Sequence, residues 1–427
     1  MDKIWQNLQQ LGKSDRFQVL KRYQRYIIFI IAVAIVVHRR PDVVTNPQFW
    51  AEDGTAWYSM AYHTAPFQTL FVPHAGYFYI VPRLAAEFAR LFPVEFGPLI
   101  FNLVAIAIKL LPMAIVLSSR VDRSLKPIAL IASFLYLGIP NSFEYYSNIS
   151  NAQWHLAIVS CLILLVKPSP FIGWKIFDLV VLLLASLSGP FCLVLLPVAI
   201  ATYVMTRHRW YLASIATLSF GVALQGWIML NSHRESLPLG ASVESLAKIV
   251  GGNIFLGLTL GTRVYLHLAM HFSTLTFFLV WLGAIATLAL LVYIAFYAPW
   301  RLKFFVGFTF AILGSALISP LAHPTLPQWV ALGNPGTGMR YWLLPSVALI
   351  GGFLWLARFS PHQIGRKIGI VLLAVMMVGV VGDWHHPAFV DYNFSEYAEQ
   401  LEAVPPGTVV EIPINPPGWE MMLIKQP

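Results

Sequence analysis

Two carboxylates stand side by side at Glu52 and Asp53, inside the run Asn46-Pro47-Gln48-Phe49-Trp50-Ala51-Glu52-Asp53-Gly54-Thr55-Ala56-Trp57-Tyr58. A carboxylate among indole and phenyl rings loses hydration, which raises its pKa and suits general-base work beside an aqueous cleft. The pair also fits the first turn of a short interfacial helix running to Met60, where the macrodipole favours negative charge. Asp53 is taken as the base and Glu52 as its neighbour or a metal ligand; adjacent side chains point in different directions, so the assignment can swap between the two. Cations follow. In Pro73-His74-Ala75-Gly76-Tyr77-Phe78-Tyr79-Ile80-Val81-Pro82-Arg83, His74 and Arg83 suit interfacial anchoring or contact with an anionic lipid phosphate. Arg340 ends a stretch containing Gly333, Gly336 and Gly338, which let backbone approach a ligand, and its forked guanidinium matches phosphate oxygens. An arginine snorkelling at a helix end would read the same way. Arg263 is a further candidate for such a phosphate.

Other chemistries find less material. Gly12-Lys13-Ser14 lacks the upstream glycine of a phosphate-binding loop, and no Asp-x-Asp motif offers a nucleotide-sugar site. His267 and His271 have helical spacing for a metal but lack the intervening Glu of the protease motif, so they read as the polar stripe of an interfacial helix. Cys161 and Cys192 lie in apolar runs and read as small core residues. Asn148-Ile149-Ser150 is formally a glycosylation sequon, a triplet common by chance.

The elements that must position these residues are set by composition. Of 427 residues, 58% are hydrophobic and 11% charged, against roughly 25% charged in a soluble domain. The apolar residues fall in long runs between short basic loops, as in one polytopic membrane domain. Eleven spans are expected, near 23–39, 97–118, 127–140, 152–167, 175–189, 190–206, 210–231, 273–298, 303–321, 341–357 and 367–382. The first is short, so Arg22, Arg25, Arg39 and Arg40 are expected to snorkel to the two interfaces. No small-residue cleavage site follows it, and it is expected to remain in the membrane. With the amino terminus inside, most of the 28 Lys and Arg fall on inner segments, including Arg120, Arg123, Lys126, Lys167, Lys175, Arg207, Arg209, Arg301 and Lys303. That is the positive-inside pattern, and it puts the carboxyl terminus outside. The +9 net charge therefore reports orientation, and no nucleic-acid motif accompanies it. Long outer segments at 40–96, 232–272, 322–340 and 383–427 are where chemistry is expected. The segment 232–272 reads as re-entrant or interfacial because Gly251, Gly252, Gly257 and Gly261 weaken it as a span. The tail reads as a helix over 395–403 followed by strands over 408–414 and 420–424. The expected organisation is a cytoplasmic segment 1–22, an all-α membrane domain 23–382 with interfacial helices, and a small α/β cap 383–427.

An acidic pair directly after the first span of such a protein resembles the GT-C superfamily of integral-membrane glycosyltransferases, in particular bacterial members of unassigned specificity. Further resemblances are Asn151-Ala152-Gln153-Trp154-His155, Ser188-Gly189-Pro190, Gly338-Met339-Arg340-Tyr341-Trp342, and the ending Ile412-Pro413-Ile414-Asn415-Pro416-Pro417-Gly418-Trp419. The resemblance implies transfer of a hexose or pentose from a polyprenyl-phosphate donor to a hydroxyl of a lipid, glycan or polysaccharide acceptor of the cell envelope. It implies inversion at the anomeric carbon on the outer face of the cytoplasmic membrane, with Asp53 and Glu52 as catalytic residues. It places Arg340, His74, Arg83 and Arg263 on the donor phosphate and Trp50, Tyr77, Asn151, Gln153, Trp154, His155 and Tyr341 on the substrates. A divalent metal ion stays open as a cofactor. The chain departs from larger members, which append a sizeable soluble domain. The competing reading is a lipid or lipid-linked glycan translocase. That would need polar residues along a path through the spans, which are nearly charge-free apart from Lys109. Acyl transfer would need a nucleophile constellation that the sequence does not display.

Overall fold

Apolar runs of this length must satisfy their own backbone hydrogen bonds, and away from water a helix does so within one segment. The computed structural model describes residues 15–232 and 237–427; residues 1–14, with Gly12-Lys13-Ser14 and most of the expected segment 1–22, lie outside the described residues. The principal helices are α1 (Asp15–Arg39), α2 (Ile80–Ala89), α3 (Gly97–Leu117), α4 (Lys126–Leu137), α5 (Ala152–Leu165), α6 (Ile172–Ser186), α7 (Cys192–Thr206) and α8 (Trp210–Asn231). They continue with α9 (Gly257–His271), α10 (Ser273–Tyr297), α11 (Trp300–Ile318), α12 (Leu343–Phe359), α13 (Gln363–Gly382) and α14 (Phe394–Ala403). Strands β1 (Val409–Ile414) and β2 (Trp419–Ile424) pair antiparallel, with Ile414 opposite Trp419.

Helices stand at all eleven expected positions, but they are not all of spanning length. Among the described residues seven helical runs are long and apolar enough to cross a membrane: Val94–Leu117, Trp210–Asn231, Val243–His271, Ser273–Tyr297, Trp300–Ile318, Met339–Phe359 and Gln363–Gly382. Helices α4 to α7 have only 12 to 15 residues. Between α4 and α5 the chain is a buried loop. Helix α4 stops at Gly138-Ile139-Pro140, where proline cannot continue it, and residues 138–151 then run inside the bundle.

A buried loop must find partners for its backbone. The Asn141 N–H donates to Asp383 at 2.9 Å, and the Asn141 amide to the Asn253 carbonyl at 2.9 Å. Lys109, fully buried in α3, donates to the Tyr146 carbonyl at 3.2 Å with its ammonium 3.4 Å from the centre of that ring. Arg39 and Arg40 do not snorkel: both are fully buried. Arg39 donates to the carbonyls of Leu137, Ile139, Asp383 and Trp384, tying together the ends of α4 and α13 whose last carbonyls lack helical partners.

The run Val243–His271 has the length of a span, and its glycines serve packing. A Cβ on Gly251 would lie 1.8 Å from the Val280 carbonyl oxygen of α10, so only glycine allows that approach. At Gly261 (φ 79°) the run breaks, and the Asp383 carboxylate accepts the Thr262 N–H at 2.6 Å where the helix restarts. The expected tail is present as α14 followed by the β1–β2 hairpin.

Candidate functional site

The acidic segment enters the bundle between α3 and the hairpin. Asn415 pairs with it on both sides, its carbonyl accepting the Ala51 N–H at 2.5 Å and its own N–H donating to Phe49 at 3.1 Å. The chain passes Ala51 with φ 43°, a left-handed conformation costly for alanine that these bonds hold in place. A π-helical stretch, Asp53–Tyr58, follows and runs into Ser59–His63. Its unusual winding divides the carboxylates. Glu52 faces a cavity, whereas Asp53 is 1% exposed beneath it.

Asp53 accepts from the Ser150 hydroxyl at 2.5 Å, the Ser150 N–H at 2.9 Å and the Ile149 N–H at 3.3 Å. It is therefore the clasp that seats the buried loop. Burial pushes its carboxyl up to about 7; the Ser150 bonds pull it back and the neighbouring Glu52 adds to the rise. The supposed sequon is part of this seat: Asn148 is buried and caps the turn by accepting the Asn151 N–H at 3.1 Å.

The cavity measures about 910 Å³ and has two parts. A polar chamber is lined by Glu52, His74, Glu144, Ser150, Asn151, Gln153 and Arg340, with Trp50, Trp57, Tyr77, Tyr79, Trp154 and Tyr341 as aromatic walls. An apolar limb continues from it between α7, α8 and α11, lined by Leu193, Val194, Met229, Ile312, Ala316 and Ile318. Leu193, Met229 and Ile318 are also exposed on the outside of the bundle, so the limb reaches the surface an apolar chain would approach.

Arg340 forms an ion pair with Glu144 and donates to the Leu321 carbonyl at 2.6 Å. Two of its five N–H donors are thus used, and the others remain for a ligand. Gly338 (φ 63°) makes the tight approach of this loop possible, since a Cβ there would meet Leu332 at 2.5 Å. His74 and Tyr77 close a two-residue turn over Ala75 and Gly76, both with positive φ. The His74 ring stands edge-on to Trp57 at 4.8 Å. Burial holds its imidazole below the ordinary range, Glu52 working against this and Arg83 with it. Arg83 lies behind Trp57, its guanidinium 5.1 Å from the ring centre, 1% exposed, with Nε and Nη2 unpartnered among the described residues.

Of the residues singled out from sequence, Glu52, His74, Arg340, Trp50, Tyr77, Asn151, Gln153, Trp154 and Tyr341 share this cavity, and Asp53 and Arg83 stand behind its wall. His155 does not line it. It is buried, with Nδ1 2.6 Å from the Tyr136 hydroxyl and Nε2 3.1 Å from the Tyr145 carbonyl, the pattern of a satisfied core imidazole. Arg263 is elsewhere as well, donating to the His385 carbonyl at 3.1 Å because Asp383 gathers the Gly261 break to that side. His267 and His271 form an exposed stacked pair 4.4 Å apart. Among the described residues no three His, Cys, Asp or Glu side chains come together as a metal group. Sequence reasoning missed Glu144, Ser150, Tyr79, Pro416 and Trp419. For Glu144 a signal existed: it sits among aromatic rings in Phe143-Glu144-Tyr145-Tyr146, the pattern that singled out Glu52.

The fold and cavity define a helical membrane protein with an amphiphilic chamber at one end. Comparison with protein-family models, curated proteins and solved structures finds no match to the chain.

Proposed function

We propose that this chain is a GT-C-like membrane glycosyltransferase that moves a sugar from a polyprenyl-phosphate donor to an acceptor hydroxyl, with inversion, on the outer face of the cytoplasmic membrane. The observation that carries the reading is the joined cavity: a polar, aromatic-walled chamber opening into an apolar limb accepts a ligand that is half sugar phosphate and half hydrocarbon. Glu52, the carboxylate facing the chamber, takes the role of base, and Asp53 holds the loop that forms its floor. The acceptor oxygen attacks the anomeric carbon as Glu52 accepts its proton. The bond from that carbon to the phosphate oxygen breaks on the opposite side, and polyprenyl phosphate leaves with the electron pair. Charge growing on the phosphate is met by the free donors of Arg340, and Arg83, a buried cation behind Trp57 without a carboxylate partner among the described residues, adds its positive field from behind the wall.

Full-length protein in phospholipid vesicles, supplied with radiolabelled polyprenyl-phosphate hexoses or pentoses and envelope glycans, tests this. Donor-dependent labelled product is expected, falling about a hundredfold or more in Glu52→Gln protein of matched amount. Donor flipping without product would favour a translocase, and full transfer by Glu52→Gln would remove that residue from the chemistry.

A further inference from the structure

The carboxyl-terminal hairpin is part of the chamber as well as a cover over it. Pro416 and Trp419, at its turn, line the same cavity as Glu52. The turn is held rigidly. Asn415 is buried, accepts the Val390 N–H at 2.9 Å, donates to the Val390 carbonyl at 2.9 Å, and pairs through its backbone with Phe49 and Ala51. Lower on the hairpin, the Met422 carbonyl accepts from Ser59 at 2.9 Å, and the Ile424 N–H donates to His63 at 2.8 Å. The hairpin thus packs on the acidic segment, whereas the apolar limb is built by α7, α8 and α11.

Trp419 stands out among the aromatic walls. Trp50 is stacked on Phe389 at 5.1 Å, Trp57 meets Tyr79 tilted and His74 edge-on, and Trp154 meets Phe191 and Tyr341 edge-on. The Trp419 indole has no ring, cation or hydrogen-bond partner among the described residues and is 39% exposed. A large apolar ring left open to water gains free energy when a ligand covers it. The in-line geometry of the proposed transfer says which ligand. With the lipid phosphate leaving toward the apolar limb, the nucleophile must approach the anomeric carbon from the side away from that limb, and the hairpin turn is a part of the lining that the limb's helices do not supply.

We infer that Trp419 forms the acceptor subsite and that the acceptor is a carbohydrate, one sugar ring laying its C–H face on the indole. Sugars fit because such rings carry an apolar face beside polar edges, matching an indole that shares its cavity with Glu52, Asn151 and Gln153, whose buried Oε1 has no partner among the described residues. A lipid acceptor would need a second apolar limb on the hairpin side. The inference rests on the proposed transfer for its direction, but its test does not depend on turnover.

Purified full-length protein, fluorescently labelled at the amino terminus in detergent, is applied to a printed array of bacterial and plant oligosaccharides. Wild type is expected to bind a defined subset. Trp419→Ala should lose that binding by about tenfold or more, as when an aromatic anchor is truncated, and Trp419→Phe should recover most of it. Matched melting temperatures of the three proteins show that the exposed turn tolerates the changes. Binding of no glycan by wild type, or equal binding by wild type and Trp419→Ala, overturns the subsite. The donor assay reports separately: donor turnover with intact array binding in Trp419→Ala defeats this inference alone, and array binding without donor turnover defeats the transfer reading alone.

Discussion

At the scale of single residues, the adjacent carboxylates have parted company. Asp53 is enclosed and Glu52 is not, so proton linkage should single out Asp53. Its carboxyl titrates near 3.8 when unfolded and about 7 when folded, so between those values the native state holds the extra proton. Stability contributed by that proton is complete below the lower value and is lost as pH rises through the upper one, by on the order of 4 kcal/mol. The melting temperature of wild type relative to Asp53→Asn should therefore fall between pH 5 and pH 8. A difference that stays flat would mean that Asp53 is ionised throughout. Arg83 makes the complementary case. A buried guanidinium without a carboxylate partner is a burden in the absence of ligand, so Arg83→Met should raise thermal stability while lowering donor use by about tenfold or more. Unchanged donor kinetics would reduce Arg83 to packing against Trp57 and Met60.

At the scale of elements, the segment that carries Glu52 and Asp53 is held by a hairpin more than 360 residues away in the chain. Asn415 is the joint. Replacing it with Ala removes both part-buried hydrogen bonds to Val390, which costs about 0.5 to 1.5 kcal/mol for each bond. It also loosens the strand that keeps Ala51 left-handed. Asn415→Ala should lower the melting temperature and reduce turnover together, whereas Glu52→Gln should reduce turnover alone. Calorimetry beside donor kinetics separates them, and an Asn415→Ala protein with wild-type turnover would show that the hairpin does not position Glu52. The loop 138–151 is the other deciding element. Its seat on Asp53, Lys109 and Asp383 lets the chain run inside the bundle between the end of α4 and the start of α5, and part of it lines the chamber.

At the scale of the whole molecule, charge placement makes a prediction that does not depend on catalysis. Cys161 and Cys192 are both buried, so cysteines introduced elsewhere can be labelled against a low background. Ser124 is exposed between α3 and α4, at the end far from the chamber, and Glu420 is exposed on the hairpin. With basic loops inside, a membrane-impermeant maleimide added to intact cells should label Glu420→Cys and leave Ser124→Cys unlabelled until the membrane is opened. The reverse pattern would place the chamber on the cytoplasmic side and remove an externally presented donor from the reading.

Helix placement was readable in the chain because hydrophobicity is a property of a local run. Residues 210–231 and 273–298 announced α8 and α10 almost to the residue, and the tail 395–424 announced a helix and two strands. That Glu52, His74, Trp154 and Arg340 would gather was legible for a similar reason, since polar groups set among aromatic rings at the ends of apolar runs mark the place where water meets the bundle, and the four line one cavity. What the chain could not disclose were choices that depend on distant partners. Asp53 and Glu52 look equivalent until Ser150 claims one of them. His155 looks like a site residue until Tyr136 and the Tyr145 carbonyl satisfy both its nitrogens. Arg39 and Arg40 look like snorkelling anchors until the loop and α13 surround them. Gly251 looks like a flaw in a helix until the Val280 carbonyl lies against it. In each case the sequence by itself determined the side chain's capacity to donate, accept, carry charge or leave space, and tertiary packing decided which partner used it, because burial makes an unpaired polar group too costly to remain uncommitted.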